Sequence, residues 1–219
     1  MTYSRKALTP NHLSCLTLAL SLLCAPISTF ASRQTDGAIL NKGKQSSEVY
    51  ISSYTCDLTE AAKRGKLEPV NGYTSEINQM VQILAGVERR NAMLVSEPGT
   101  IRNVVVEALA LRVASGEVPG ELQGKHLLRL NLKDIFNAES LVVETRLDGL
   151  LAEVKRARGK FILFVDDLDT LSGIDAGPNA TAESLLAAAL ERNEIQLVGG
   201  TTGGNLKVLE ARNPGIARH

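Results

Sequence analysis

The chain has 219 residues, enough for one α/β domain with a sizeable core and a tail, and too few for two domains of ordinary size. Lys and Arg total 24 against 24 Asp and Glu, and this balanced charge argues against nucleic acid or an acidic membrane surface as the main partner. With 44% hydrophobic residues, 4% aromatic and no Trp, the core must be built from Leu, Val, Ile and Ala, as buried parallel sheets often are.

Arg5 and Lys6 open a segment with no acidic residue before Asp36, and Leu13–Cys24 is apolar apart from small hydroxyls. These are the basic start and apolar centre of a secretory signal. Thr29-Phe30-Ala31, after Pro26, offers a small-residue cleavage site, so residues 1–31 read as the signal and Ser32 as the start of an exported, periplasmic or secreted, chain. The apolar run is shorter than the roughly 20 residues a membrane span needs. The alternatives are an uncleaved anchor over Leu13–Ala31, which would make a membrane a partner, and an organellar or cytoplasmic location. Leu23 is too large for the small residue that precedes a lipoprotein cysteine at Cys24. Cys15 and Cys24 fall within the signal, leaving Cys56 alone and no internal disulfide. Residues 32–56, rich in Ser, Gly, Lys, Gln and Asn, read as a flexible linker, with Val49–Tyr54 as a short strand or docking peptide in the alternative.

From residue 57 to residue 219 the pattern alternates. Asp57 is placed to cap a short helix over Leu58–Gly65, and Thr74 or Ser75 to cap a second with Ile77, Met80, Val81 and Leu84 at helical spacing. Ala92–Val95 reads as a buried strand and Val104–Ala114 as a helix. His126–Leu132 is the next strand, and Glu144–Arg158 an amphipathic helix with Leu147, Leu150, Leu151 and Val154 on one face and Glu153, Lys155, Arg156 and Arg158 elsewhere. Phe161–Val165 is a continuous apolar strand ending in Asp166-Asp167. Thr181–Arg192 reads as a helix, and Ile195–Val198 as a strand closed by Gly199-Gly200-Thr201-Thr202. Strands alternating with helices predict an α/β three-layer sandwich, a parallel sheet with helices on both faces. Its ligand crevice lies beyond the carboxyl ends of the strands, where residues 96–103, Asp166-Asp167 and Thr201-Thr202 all fall.

Ser96-Glu97-Pro98-Gly99-Thr100-Ile101-Arg102-Asn103 stands where a strand-to-helix phosphate loop, G-x-x-x-x-G-K-S/T, would stand. All four defining positions differ: Ser96 and Ile101 replace the glycines, Arg102 the Lys and Asn103 the hydroxyl residue. β-Branched Ile101 would be strained where glycine turns the backbone, and the planar fork of Arg102 does not replace a compact ammonium. A plain strand-to-helix turn and a site for some other anion are the competing readings.

Together these stretches resemble the first ATPase module of the Clp AAA+ unfoldases and disaggregases. The likeness runs over Leu58–Val70, Val81–Leu84, Glu97-Pro98-Gly99, Gly116–Pro119, Leu122–Lys125, Ile162–Leu171 and Gly199–Thr202. It implies a P-loop NTPase large subdomain over residues 57–219, ending before the family's last strand and helical lid. The resemblance assigns Val70 and Gly72 to the adenine pocket, with Asn71 a polar departure, and Pro98, Gly99, Thr100, Arg102 and Asn103 to the phosphates. It assigns Asp166 with Asn103 to Mg²⁺, Asp167 to the place of the catalytic Glu, and Thr201 and Thr202 to sensing the γ-phosphate. Asp167 is one methylene short for orienting water, and misplacement of about 1 Å can cost about a hundredfold. The aromatic pore residue that grips substrate falls near Glu139, a carboxylate, and Arg218 stands alone where the family pairs its finger arginines.

The altered letters imply a degenerate Clp-like module, a pseudo-ATPase impaired in ATP binding and hydrolysis and acting by protein–protein binding. The alternatives are a divergent ATP-binding chaperone subunit with residual hydrolysis in a complex, with ATP and Mg²⁺ as cofactors, and a gene remnant without function. Other AAA+ subunits or unfolded polypeptide are the implied partners.

Overall fold

The structure is a computed structural model and describes residues 49–87, 90–97, 101–137, 140–171, 178–212 and 214. The stretch read as a signal, most of that read as a linker, and Pro98, Gly99, Thr100, Glu139 and Arg218 lie outside the described residues.

Five strands form one sheet: β1 (Thr55–Asp57), β2 (Ala92–Val95), β3 (His126–Leu130), β4 (Phe161–Val165) and β5 (Leu197–Thr201). Their order is β1-β3-β4-β5-β2, and β3, β4, β5 and β2 run parallel. The short β1 adds an antiparallel pair on β3, so the sheet is mixed at that edge. β5 therefore lies between β2 and β4, with Val95 opposite Thr201 and Val165 opposite Gly199.

Strand alternation divides the core into two layers. Leu127, Ile162, Phe164 and Val198 point to one face, where they meet Leu58 of α2 (Leu58–Lys63), the α3 (Thr74–Leu84) residues Ile77, Met80, Val81 and Leu84, and α4 (Ile101–Ser115). Leu128, Leu130, Leu163, Val165 and Leu197 point to the other, against α5 (Leu132–Phe136), α6 (Ser140–Arg156), α7 (Pro178–Glu191) and Leu209 of α8 (Gly203–Arg212). This is the three-layer α/β architecture expected from the alternating pattern. Some boundaries differ from the sequence reading: α4 begins at Ile101, three residues before Val104, and β3 ends at Leu130, short of Leu132. The fourth parallel strand runs through Gly199 and Gly200 to Thr201 instead of closing before them. No side chain caps α3, which starts at Thr74 behind a left-handed Tyr73. Asp57 does cap α2, accepting from the Glu60 N–H at 2.8 Å, while its other carboxylate oxygen lies 2.7 Å from His126 Nδ1 on β3.

Of the stretch read as a linker, Val49–Tyr54 form a helix, α1, and Thr55 and Cys56 enter β1. α1 docks on α6. Ile51 is buried, and its N–H donates to Glu153 Oε2 at 2.9 Å, which puts Glu153 inside although its helical position reads as off the apolar face. Arg146 lies with its guanidinium carbon 5.5 Å from the centre of the Tyr54 ring and donates to the Asp134 carbonyl at 2.9 Å. Gly149 makes room for Tyr50: a Cβ there would stand 2.7 Å from the ring. Gly149→Ala should thus lower stability by about 1–3 kcal/mol through overpacking. In a Tyr50→Ala background the same change should cost little, and urea unfolding of the four chains of this cycle measures the difference.

Candidate functional site

Every predicted site residue that the structure describes, except Val70 and Gly72, lies at the carboxyl ends of β2, β5 and β4. Ser96 leaves β2 with its N–H donating to the Thr201 carbonyl of β5 at 3.1 Å. Arg102 and Asn103 sit in the first turn of α4, on one side of β5, and Asp166 and Asp167 follow β4 on the other side.

Arg102 joins the two sides. Its side chain is only 3% exposed, and its Nε donates to Asp166 Oδ1 at 2.7 Å. Nη2 pairs with Asp167 Oδ1, and Nη1 reaches the Ser96 carbonyl at 3.4 Å. A cation in the first turn of a helix stands at the wrong end of the helix dipole, so its burial here depends on the two carboxylates. Asn103 turns its amide N–H toward Asp166 Oδ2 at 3.4 Å. Asp166 Oδ1 also accepts the Asp167 N–H at 2.9 Å. That short contact accompanies a left-handed turn at Asp167, φ 49°, which Asp tolerates better than most residues. The turn leads into the 3₁₀ segment Leu168–Leu171, anchored by the fully buried Leu168.

The arm of Arg102 has to cross β5, and it crosses at Gly200. A Cβ on Gly200 would stand 2.5 Å from Asp166 Oδ1 and 3.1 Å from both Cδ and Nε of Arg102. Neither Gly199 nor Gly200 has positive φ, so close approach and not backbone conformation accounts for them. Gly199 faces the opposite side, where a Cβ would meet Met93 Sδ at 2.9 Å.

The two threonines part company. Thr201 is fully buried, and Thr202 serves α8 as a cap, its Oγ1 accepting the Asn205 N–H at 3.2 Å and its carbonyl the Leu206 N–H at 2.9 Å. Val70 and Gly72 line a separate cleft of about 350 Å³ with Ile77, Ala108, Leu111 and Arg112. On the α4 rise, Ala108–Arg112 lie roughly 9–15 Å beyond Arg102 along the helix, so the residues assigned to adenine stand apart from the Arg102 cluster. Another cleft, of about 310 Å³ and lined by Arg90, Lys155, Arg158 and Gln196, holds none of the predicted residues.

Chemically, the arrangement is closed on itself. Among the described residues, the guanidinium pairs with both Asp166, to which the resemblance assigns the metal, and Asp167, to which it assigns the catalytic place. Gly200 was missed as a site residue; the signal for it was a pair of adjacent glycines inside a strand, next to an acid pair and an arginine.

A parallel sheet with its loop-to-helix junction, acid pair and threonine strand end at one crevice defines the nucleotide-site architecture of an AAA+ α/β fold. No protein-family model matches the chain. It is 34% identical over 192 residues to the chaperone protein ClpB of Propionibacterium freudenreichii, covering 86% of this chain and 22% of that one. It is 39% identical over 170 residues to ClpB of Pseudomonas putida, covering 76% and 20%. A closed-state reconstruction of Hsp104 with ATPγS and FITC-casein superposes with a TM-score of 0.69 at 31% identity, covering 77% of this chain and 29% of that chain. The Saccharomyces cerevisiae Hsp104–ADP complex gives 0.69 at 30%, covering 77% and 24%. The chain carries a Clp-type AAA+ module of the ClpB/Hsp104 kind. It spans about a fifth of the length of the ClpB relatives.

The burial asymmetry makes the ion-pair cluster testable. Asp166→Ala leaves a buried guanidinium short of a partner and should cost about 3 kcal/mol. Arg102→Met frees carboxylates that are 25% and 57% exposed, which water can solvate, and should cost only about 1–2 kcal/mol. Urea unfolding of the two variants gives the ranking.

Proposed function

We propose that this Clp-like module does not run an ATPase cycle of its own and acts by binding other proteins. The observation that carries this reading is the buried Arg102 guanidinium paired with Asp166 and Asp167. Its support is chemical. An arginine in the carboxylate pair blocks cation binding, Asn103 turns a donor toward Asp166, and Thr202 is engaged as a helix cap. Asp167 points its carboxylate back to the protein's own cation, so on this reading it has no role in activating water.

The N-terminal reading agrees with this. A module exported behind residues 1–31 would meet little ATP, and an internally closed site has no need of it. Hsp104 has been imaged with casein; for this chain we take unfolded polypeptide as the partner class, bound without a nucleotide cycle.

Thermal unfolding of the purified protein should be unmoved by millimolar ATP with Mg²⁺. Binding at a hundredth of the ligand concentration would stabilise the fold by about 2.7 kcal/mol, so a clear Mg²⁺-dependent upward shift would overturn the reading. Fluorescein-casein anisotropy should rise with added protein to the same extent with and without ATP.

A further inference from the structure

We infer that Gly200 selects between a closed and an open form of this site, because it is the one position on β5 over which the Arg102 arm can pass. This rests on the reading of the site as closed by Arg102. The register puts β5 between the helix that carries Arg102 and the strand that carries Asp166. Strand parity points residue 200 to the same face as Val198, the α4 face. Any side chain there would rise into the space taken by Cδ and Nε of Arg102 at 3.1 Å and by Asp166 Oδ1 at 2.5 Å.

Glycine inside a buried strand weakens it, and neither a turn nor positive φ requires one at 200. What the glycine permits is the crossing. A methyl group at 200 would press hardest on Asp166 Oδ1, at 2.5 Å, and also on the arm, at 3.1 Å, so it wedges between the two partners and the pair must part, the longer arm having more room to swing away. Gly200→Ala is therefore expected to expel the guanidinium and leave Asp166 and Asp167 facing a crevice that a divalent cation can enter. Gly200 touches no ligand itself; it is a positioning residue that acts through Arg102.

The experiment uses Mn²⁺ alone as the probe, followed by electron paramagnetic resonance. The full chain is compared as wild type, Gly200→Ala, Arg102→Met and Gly200→Ala with Asp166→Asn. Arginine Nε–H exchange is read in parallel by NMR, the Arg102 signal being the one that Arg102→Met removes. In the wild type that signal should be protected and Mn²⁺ excluded. In Gly200→Ala the protection should vanish and Mn²⁺ should bind at least about tenfold more tightly than in wild type, as it should in Arg102→Met. Asp166→Asn should abolish the gain.

A Gly200→Ala chain that keeps the protected signal and excludes Mn²⁺ overturns the inference. So does an Arg102→Met chain closed to Mn²⁺, since the arm would then not be what excludes the cation. If Gly200→Ala does not fold, adding Arg102→Ala decides the matter: restored folding with Mn²⁺ binding supports the crossing, and continued failure to fold rejects it. Wild-type protein that binds Mg²⁺–ATP defeats the proposed function instead, a result read on a different chain.

Discussion

One ion-pair cluster governs the crevice of this domain: a guanidinium from the first turn of α4, laid across β5, in contact with the two acids that end β4. The guanidinium is almost fully buried, and a buried arginine without carboxylates would be strongly destabilising. The position of α4, the turn at Asp167 and the bare surface of β5 at Gly200 are thereby coupled. Moving any one would leave a charge without a partner or an atom without space. Sheet topology makes this possible, because the strand order brings the ends of β2, β5 and β4 side by side although they are far apart in sequence.

The cluster occupies the crevice of a fold shared with ClpB and Hsp104. In an α/β sheet the crevice at the strand ends is where loops from separate strands converge, and fold alone does not say what chemistry occurs there. The same convergence that can cradle a phosphate can equally satisfy an internal cation. A planar guanidinium suits this second role, since its fork can address two carboxylates and a carbonyl at once.

Much of the architecture was legible in the sequence. Ile77, Met80, Val81 and Leu84 follow the helical period and are all buried, and the apolar run Phe161–Val165 is a central strand. The convergence of residues 96–97 and 101–103, Asp166-Asp167 and Thr201-Thr202 at the strand ends was also readable, since it follows from right-handed crossovers. Contacts set by distant partners were not. Glu153 reads as lying off the apolar face because the N–H it accepts belongs to Ile51, far back in the chain, and α1 reads as tether because its neighbours are polar. The direction of Arg102 was hidden for the same reason. A charge at a loop reads as a ligand for something external until its internal carboxylates are placed. Gly199-Gly200 looked like a turn because glycine pairs usually punctuate, whereas here each clears space on one face of a strand.

Those two glycines leave the centre of the sheet bare. For two successive residues β5 has no side chain on either face, so its order there is imposed by neighbours: Met93 and Leu168 on one side, Arg102 and Asp166 on the other. Glycine also has more freedom to recover than any other residue when such restraint is lifted. The end of β5 is held by its backbone pairing with β2 as well as by these side chains, and it runs directly into Thr202 and the start of α8. The Arg102 arm is thus a lid of side-chain atoms over a stretch of strand that has none of its own, two residues before the Thr202 cap that starts α8.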